Sequence, residues 1–376
     1  MKISGLQIKN FKAIAKHRFE LTSLNVFLGK NSMGKSSTLQ ALLLIKDNFE
    51  EREIVDLITD VDLSLSVILN LRTRFLDLGF SNEVFKADEN DEKIVFILET
   101  GRTGILTIES EFESGEDYLI SNNTAEGMEE VPDFFGKHFQ YLNANRISPN
   151  DLFALSVSEV ERKFQLGNSG ENTPHFLLRF GNDQLFNVEP SLMHPGTDVP
   201  DLLNQVSAYM SDLGSELRVQ VSQIADRVQL KYDVFRSNGL TDTFKPQNVG
   251  FGLTYSLPVI TTLLAGKPGK VQIIENPESH LHPGGQAQMG KLLAKAAHSG
   301  QQLFIETHSD HIINGIRVAV KEGLLDPDEV ILHYFDKPNG QKDISISPIR
   351  IDKEGNLSDY PDGFLDEWDN QLLKLL

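Results

Sequence analysis

The segment Gly29–Ser36, with the sequence GKNSMGKS, constrains this chain more than any other segment does. It matches the pattern G-x-x-x-x-G-K-[ST], which is typical of Walker A phosphate-binding loops. The apolar run of residues 24–28 predicts a strand before the loop. Residues 35–48 predict a helix after it, because apolar residues recur there at helical spacing without Pro or Gly. A strand, a glycine-rich loop and a helix in this order are the context in which such a loop binds phosphate.

The residue types in the loop suit this chemistry. Gly29 and Gly34 let backbone N–H groups wrap a phosphate, and the helix N-terminus adds its partial positive charge. Lys35 is expected to reach the β- and γ-phosphates, and the Ser36 hydroxyl is expected to bind Mg²⁺. The candidate nucleotide-binding set of the loop is Gly29, Asn31, Gly34, Lys35, Ser36 and Ser37.

Two later strands are predicted to end in polar residues. Residues 271–274 form an apolar run that ends at Glu275, and residues 302–306 form another that is followed by Thr307 and His308. Ligands of open α/β sheets bind at the carboxyl ends of the strands. We therefore expect Glu275 to serve as an acid at the Mg²⁺ site and His308 to sense a γ-phosphate by hydrogen bonding.

Composition narrows the classes of function. Lys+Arg 35 against Asp+Glu 54 gives a net charge of −19, which argues against a general nucleic-acid coat and suits a basic partner. The absence of Cys excludes disulfides, thiolate catalysis and cysteine-bound zinc. No apolar run approaches the roughly 18–20 residues of a membrane span. The N-terminus alternates apolar and polar residues as a strand does, and it lacks the continuous apolar core of a signal peptide. We therefore expect a cytoplasmic protein.

Three motifs taken together resemble a known family. They are the Walker A loop, the run IENPESHLHP at residues 274–283, and ETHSD at residues 306–310. In combination they resemble the ABC-type ATPase heads of the SMC, RecF and OLD group, often labelled AAA-family ATPases. They are most similar to small bacterial ATPases of anti-phage defence, of the Septu kind. IKNFK at 8–12, NVGFGLTY at 248–255 and DYPDGF at 359–364 are also similar to that subgroup.

The resemblance covers residues 1–45 and about 245–376, and the middle of the chain is only loosely similar. It implies an α/β fold of the P-loop NTPase class. The expected architecture is an ABC-type head with a mostly parallel sheet, an N-terminal antiparallel β part and an inserted lateral lobe. Three parts are expected: a first part of the head at residues 1–49, a β-rich and helical lobe at 50–245, and the rest of the head at 246–376.

Local patterns give further expectations for the secondary structure. Residues 50–71 predict an acidic helical segment. Residues 167–200 predict a flexible excursion of the chain, a loop without regular structure, because they are rich in Gly, Asn, Pro and Ser. Residues 94–98 and 106–110 predict strands. Residues 364–376 predict a closing amphipathic helix.

The family resemblance also implies a mode of action. Such heads bind ATP and Mg²⁺ and dimerise head-to-tail around two ATP molecules, each of which is completed by a signature motif of the partner subunit. Here the signature corresponds to Gly250–Thr254, with Gly252 and Thr254 as the nucleotide contacts. A self-dimer, or a higher oligomer, is therefore expected.

Position 276 departs from the transporter-like pattern. That pattern places a glutamate there as general base, whereas this chain has Asn276, which cannot accept a proton at neutral pH. Asn276 is expected to orient the attacking water, with Glu278 or His308 assisting. We therefore expect slow hydrolysis, with ATP acting mainly as a dimerising switch.

The resemblance favours a switch that regulates a separate effector, such as a nuclease or toxin, in bacterial defence. The 25 residues after Ile351 are too few for the Toprim domain of OLD-type nucleases, so any cleavage is expected from another polypeptide. The alternative is a RecF-like repair ATPase that clamps DNA, and binding of nucleic acid stays possible. Arg146 is either a nucleotide-proximal residue or a structural ion-pair partner. A metal site at His280 and His282 is disfavoured by their spacing.

Overall fold

The computed structural model describes residues 1–49, 51–59, 65–86, 93–111, 114–136, 138–214, 216–236, 239–338, 340–361, 364 and 371–375. Its strands are β1 Ile3–Phe11, β2 Ile14–Glu20, β3 Leu24–Gly29, β4 Leu65–Asn70, β5 Lys93–Thr100, β6 Gly104–Glu111, β7 Tyr118–Glu126, β8 Gln140–Leu142, β9 Leu152–Ala154, β10 Leu217–Ile224, β11 Arg227–Phe235, β12 Thr241–Phe244, β13 Val271–Glu275, β14 Gln302–Glu306, β15 Val330–Asp336 and β16 Ser345–Ile349. Its α-helices are α1 Lys35–Asn48, α2 Glu51–Thr59, α3 Ser81–Val84, α4 Thr173–Phe180, α5 Leu202–Ser211, α6 Phe251–Leu264, α7 Pro283–His298 and α8 Asp310–Lys321.

The chain forms two compact units. Unit 1 comprises residues 1–139, 330–350 and 357–376, and unit 2 comprises residues 140–329 and 351–356. The boundaries expected after residues 49 and 245 stay a prediction.

Unit 1 contains a six-stranded antiparallel sheet with the strand order β2-β1-β5-β6-β7-β4. Its strands alternate between buried and more exposed residues, as in β5, because successive side chains of a strand point to opposite faces. This sheet contains the predicted strands 94–98 and 106–110. The helical interpretation of residues 50–71 was wrong in its second half, since β4 is a strand paired with β7.

Unit 1 also pairs β15 in parallel with β3 and antiparallel with β16. The strands β3 and β15 are buried almost throughout, which agrees with their near-continuous apolar sequences. Their register pairs Leu24 with Val330 at one end and Gly29 with Phe335 at the other. The phosphate-loop candidate therefore begins at the carboxyl end of a buried parallel strand.

Unit 2 contains a parallel sheet segment in which β13 lies between β8 and β14. The helices α7 and α8 pack closely against each other, and glycines make this possible. A Cβ atom at Gly290 would lie 2.3 Å from the carbonyl oxygen of Ile312, and one at Gly315 would lie 2.1 Å from that of Ala287. A separate antiparallel sheet is built from β9, β10, β11 and β12.

The expectation of a flexible excursion at residues 167–200 was wrong. Pro174 stands in the first turn of α4, where a missing N–H costs nothing. Phe176 and Phe180 of this helix pack with Phe164 and Phe186, with ring centroids as close as 4.2 Å. Packing of these rings, of which Phe176 and Phe180 are buried, outweighs the loop-forming composition around them.

The predicted closing helix at residues 364–376 lies largely outside the described residues. Within the described part of the chain, no helix combines the length and the apolar character needed to cross a bilayer.

Lys270, immediately before β13, is a buried lysine in unit 2. It is 6% exposed, and burial lowers the pKa of its amine from 10.5 to about 8. Between these two pH values the unfolded chain binds a proton that the folded chain does not. The free energy of unfolding therefore rises with pH from about 8 to 10.5, and below pH 8 the buried charge destabilises the fold.

We expect Lys270→Met to raise the free energy of unfolding at pH 7 by up to about 3 kcal/mol, because the pKa of the wild-type amine is lowered from 10.5 to about 8. This gain should shrink towards pH 10, where the wild-type amine is neutral in the folded chain. Denaturant titrations at both pH values measure it. Lys267→Met, at a half-exposed lysine paired with Glu189, is the matched control. A gain that is the same at both pH values would show that the buried charge of Lys270 is not what destabilises the fold.

Candidate functional site

The loop between β3 and α1 has the conformation that its sequence predicts. Gly34 caps α1 with a left-handed φ of 90°, and Ser32 also has a positive φ of 62°. The Nζ of Lys35 donates hydrogen bonds to the carbonyl oxygens of Gly29 and Lys30, at 2.8 and 2.7 Å. This lysine is 3% exposed and is anchored inside the turn of its own loop. Turned backbone of this kind forms concave sites for anions.

Steric limits require glycine at both of the glycine positions in the loop. At Gly29, where φ is 130°, a Cβ atom would lie 2.1 Å from the carbonyl oxygen of Phe335. At Gly34, where φ is 90°, it would lie 3.1 Å from Cδ1 of Ile344 and 3.3 Å from Cβ of Ala13. Both positions thus require glycine for conformation and for space.

The remaining loop residues lie around this turn. Asn31 and Ser36 are exposed and Ser37 is buried. Lys30 forms an ion pair with Asp336 at 2.9 Å, which holds the pKa of that carboxyl below its ordinary value. The Ser36 hydroxyl therefore stands at an accessible point on the first turn of α1, where a cation bound to phosphate can be reached.

In unit 2, Glu275 is held at the end of β13 by β8 and by the segment that follows it. Its carboxylate accepts hydrogen bonds from the Tyr141 hydroxyl at 2.9 Å and from the Ala144 N–H at 3.0 Å. Its carbonyl oxygen accepts a third from Nη2 of Arg146 at 2.7 Å. Burial, together with the nearby charge of Glu275, raises the pKa of Tyr141, so this phenol stays a hydrogen-bond donor.

Asn276 begins a tight turn directly after Glu275. Its φ is 45°, its N–H donates to the carbonyl oxygen of Glu306 at 2.8 Å, and its own carbonyl accepts from the N–H of Ser279 at 3.1 Å. The side-chain Oδ1 is buried and has no hydrogen-bond partner among the described residues. An acceptor in this state suits a bound water.

Glu278 and His308 meet in unit 2. The Oε1 of Glu278 accepts a hydrogen bond from the backbone N–H of His308 at 2.9 Å, while its Oε2 is buried and finds no partner in the described part of the chain. Burial raises the pKa of Glu278, although the hydrogen bond from His308 opposes this shift. His308 is an exposed residue. The pair combines a shielded carboxylate with an accessible imidazole.

The signature candidate opens α6 with an exposed N-terminus. Gly250 is the N-cap and is exposed, Phe251 is 58% exposed, and a cavity of about 410 Å³ lies beside Gly250, Gly252 and Leu253. Thr254 differs from the expectation, because it is 3% exposed and its Oγ1 is buried. It lies one turn into the helix, on the inward face. Its hydroxyl is therefore not presented at the surface, and Gly250–Leu253 are the accessible part of the motif.

Two weaker candidates have structural roles. The Nδ1 of His282 accepts a hydrogen bond from the Gly284 N–H and caps α7, and the ring of His280 packs edge-on against Tyr255 at 4.5 Å. In the loop at residues 167–171, the Glu171 carboxylate accepts hydrogen bonds from the N–H and hydroxyl of Ser169, at 3.0 and 2.7 Å. That loop is therefore closed by its own carboxylate.

Each unit, taken by itself, contains groups that suit a magnesium nucleotide. Unit 1 offers a glycine-limited turn, the ammonium of Lys35 and the exposed hydroxyl of Ser36. Unit 2 offers the Glu275 carboxylate and the unpaired acceptors of Asn276 and Glu278. Oxygen ligands of this kind are those that Mg²⁺ prefers. The residues of unit 1 and of unit 2 are each brought together within their own unit.

Sequence patterns missed the residues that hold Glu275. Tyr141 and Ala144 carry no motif of their own, and only the polar run after a short strand, YLNANR, pointed to this segment. Asp336, the partner of Lys30, is the last residue of β15. In both cases, the signal is a polar residue at the end of a buried strand or directly after it.

Comparison with known proteins identifies the family. The family described as "AAA domain, putative AbiEii toxin, Type IV TA system" matches residues 24–314, which is more than half of the chain. The chain belongs to this family. It is an AAA-family ATPase domain, and a second family, described as a protein of unknown function (DUF3696), matches residues 325–375. A search of curated proteins finds no match.

Solved structures similar to this AAA-family domain include SMC heads. An SMC head bound to the C-winged helix domain of ScpA is 12% identical, with 94% of this chain and 99% of that chain covered and a TM-score of 0.55. An SMC head with an extended coiled coil, bound to the C-terminal domain of ScpA from Pyrococcus furiosus, is 11% identical, with 100% and 99% covered and a TM-score of 0.50. The SMC head domain of Thermotoga maritima is 13% identical, with 93% and 100% covered and a TM-score of 0.47. For the two heads with TM-scores of 0.55 and 0.50, the likeness at these identities concerns the fold, and the predicted ABC-type head is confirmed.

Proposed function

We propose that this protein binds ATP with Mg²⁺ and hydrolyses it slowly. The observation that carries the proposal is the loop of unit 1, in which Lys35 is anchored by two loop carbonyls beneath a glycine-capped helix start. In this proposal Gly29, Asn31, Gly34, Lys35 and Ser37 bind the phosphates. Lys35 exchanges a carbonyl for a phosphate oxygen when the nucleotide binds, since a phosphate is the stronger partner for an ammonium group.

Ser36 and Glu275 would hold the Mg²⁺ ion, which when bound offsets the charge of the phosphates. The hydrogen bonds to Glu275 from Tyr141 and Ala144 fix the direction of its carboxylate. A fixed carboxylate loses less conformational entropy on binding than a freely rotating one. Orientation of Glu275 is therefore the role that we assign to the segment after β8.

Hydrolysis is proposed to use a water bound by Oδ1 of Asn276 and Oε2 of Glu278. The water oxygen forms a bond to the γ-phosphorus, and the bond from that phosphorus to the oxygen bridging to the β-phosphate breaks. Glu278 accepts the water proton, and the products are ADP and inorganic phosphate. The His308 imidazole hydrogen-bonds the γ-phosphate. Asn276 accepts no proton, which supports a slow step.

Glu278→Gln should retain ATP binding and slow hydrolysis by about 10²-fold or more, because the amide cannot take the water proton. The wild-type rate should fall towards acid at a pH above that expected of an ordinary glutamate, since burial raises the pKa of Glu278. Single-turnover hydrolysis and nucleotide titrations measure both effects. Lys35→Ala is the control, in which ATP binding itself should be lost. An unchanged rate in the glutamine variant would remove Glu278 from the mechanism.

We also propose that two copies associate head-to-tail around ATP, through the exposed start of α6. Gly250, Phe251 and Gly252 would face the partner's γ-phosphate, where a helix N-terminus favours negative charge. Thr254 is assigned to this contact only through the backbone of its helix, because its hydroxyl is buried.

Gly250→Glu tests the proposed dimer. A Cβ atom at this position meets nothing within 4 Å, so the fold should tolerate the change, while the added carboxylate repels a phosphate. In the Glu278→Gln background, which retains ATP, light scattering should show an ATP-dependent dimer that Gly250→Glu abolishes and Gly250→Ala preserves. A dimer that persists in the glutamate variant would refute the contact.

The proposed role is cytoplasmic regulation of a separate effector, a nuclease or toxin, in bacterial anti-phage defence of the Septu kind. The family description as a putative toxin of a Type IV system supports a toxic output. SMC heads of similar fold bind the protein ScpA, which supports a protein partner. The net charge of −19 supports a basic partner and disfavours the RecF-like DNA clamp. Residues 50–245 are the proposed partner-contact lobe.

Purification with the untagged neighbours of its operon, with and without ATP, tests this role. We expect one nuclease or toxin-like protein in stoichiometric amount, detected by mass spectrometry, and its retention should change with ATP. Co-purification of nucleic acid without a protein partner would instead favour the DNA clamp.

A further inference from the structure

The strand β4 lies at the edge of the antiparallel sheet of unit 1, and only one of its sides is paired. β7 is its neighbour on that side, and no other described strand pairs with it. The Ser121 hydroxyl of β7 donates to the carbonyl oxygen of Val67 at 3.0 Å. The N–H of Leu71, directly after β4, donates to the carbonyl oxygen of Asp117 at 2.9 Å. Because the backbone groups of successive residues point to alternate sides of a strand, the odd-numbered residues of β4 face β7 and the even-numbered residues face the open side.

Asn48 closes the open side of β4 at one end. Its Oδ1 accepts a hydrogen bond from the N–H of Asn70 at 2.7 Å, and its Nδ2 donates to the carbonyl oxygen of Asn70 at 3.1 Å. These two bonds are the ones that a residue of a neighbouring strand would make. Ser66 and Ile68 face the same side, and their backbone has no hydrogen bond on that side to any residue that the structure describes. Ser66 is exposed and Ile68 is 56% exposed, so two positions of the edge are open to another strand.

The sequence of β4 gives this edge none of the usual protection against pairing. LSVILN contains no charged residue, no Pro and no Gly, and its register with β7 runs from Leu65 to Asn70 without a bulge. Edge strands are commonly guarded by lysine, proline or bulges, since their unpaired N–H and C=O groups accept a strand from another chain. Ile68 also lies opposite Ile120, which is 41% exposed, so an apolar pair lies beside the open edge. Main-chain hydrogen bonds and alternate side chains are the two kinds of contact by which an added strand is recognised.

The charge next to β4 indicates what kind of strand it takes. Residues 50–63, which lead into β4, contain six acidic residues and one arginine, and the helix α2 within this segment packs against β7. A second copy carries the same net charge of −19 and is repelled. A basic segment is attracted by the same charges. The charge therefore favours a basic partner segment over a second copy.

We propose that β4 binds an extended, basic segment of the partner protein as an added strand. The N–H and C=O groups of Ser66 and Ile68 pair with the backbone of that segment, and an apolar side chain of the segment covers Ile68. Asn48 sets the end of the added strand, because it already occupies the edge at Asn70. The inference rests on the proposed function, which supplies the separate partner, and it names how that partner is held.

Ser66→Pro is the central test, because proline removes the outward N–H without removing a bond of the ladder between β4 and β7. Ser66→Ala keeps that N–H and is the matched control for the lost hydroxyl, which donates to Oδ1 of Asn122. The probe is a blocked, fluorescent peptide of alternating valine and lysine, as long as β4, and fluorescence anisotropy measures its binding. Ser66→Pro should weaken binding by about 10-fold or more, and Ser66→Ala should stay within about twofold of wild type. ATP affinity should be unchanged in both variants.

Ile68→Lys and Ile68→Glu serve if the proline variant melts too low to titrate. Both variants lose the apolar contact at an exposed position, but only lysine repels the peptide, so the lysine variant should bind the peptide more weakly than the glutamate variant. Equal binding of the peptide by wild type and by Ser66→Pro would overturn the inference. So would equally tight binding of a peptide of alternating proline and lysine, which cannot form a strand ladder.

The outcomes also separate this inference from the proposed function. A partner recovered with the operon neighbours should be lost from Ser66→Pro and kept by Ser66→Ala, and its retention by both would place the contact away from β4. A wild-type dimer that forms without nucleotide and is abolished by Ser66→Pro would show that a second copy occupies the edge and would overturn the basic partner. Wild-type protein that does not bind ATP would overturn the proposed function, whereas the peptide titrations would still decide whether β4 accepts a strand.

Discussion

Parallel pairing of β13 with both β8 and β14 is the constraint on which the candidate site of unit 2 depends. The register sets Ile274 opposite Leu142 and Glu275 opposite Glu306. Parallel strands end at the same edge, so the polar residues after each strand are brought together although they are distant in sequence. A slip of one residue would turn every side chain to the opposite face and would separate Glu275 from the groups that hold it.

In unit 1, strand register likewise positions the loop that begins at the carboxyl end of β3. The register of β3 with β15 places Gly29 opposite Phe335, and the close approach of that strand leaves no room for a Cβ atom. Glycine is thus required at position 29 both for strand pairing and for the conformation of the loop. The hydrogen bonds of Lys35 to its own loop hold the loop in shape before a ligand arrives. Such preorganisation reduces the entropy that binding must overcome.

Sequence reasoning succeeded where a local pattern decides the structure. The strand, loop and helix around Gly29–Ser36 follow from glycine placement and apolar spacing, and so does the strand that ends in Glu275. It failed where distant contacts decide. The helix α4 is stabilised by rings from Phe164 and Phe186, which no local pattern joins to it. The burial of Thr254 depends on which face of α6 turns inward, and the bonds of Tyr141 and Ala144 to Glu275 depend on strand order. Motif spacing encodes none of these.

Asn276 shows how backbone geometry and chemistry are coupled at this site. The turn that follows Glu275 requires a left-handed φ of 45° at this position, and asparagine adopts that region more readily than glutamate does. The same residue lacks the proton affinity of a general base. In the proposed mechanism, a chain that turns here through asparagine takes its base from elsewhere, and Glu278, two residues further into the turn, is shielded and has a raised pKa. In the proposed mechanism, a base displaced in this way favours long-lived bound ATP over rapid turnover. Lifetime of the bound state is the property that a binding-controlled switch needs.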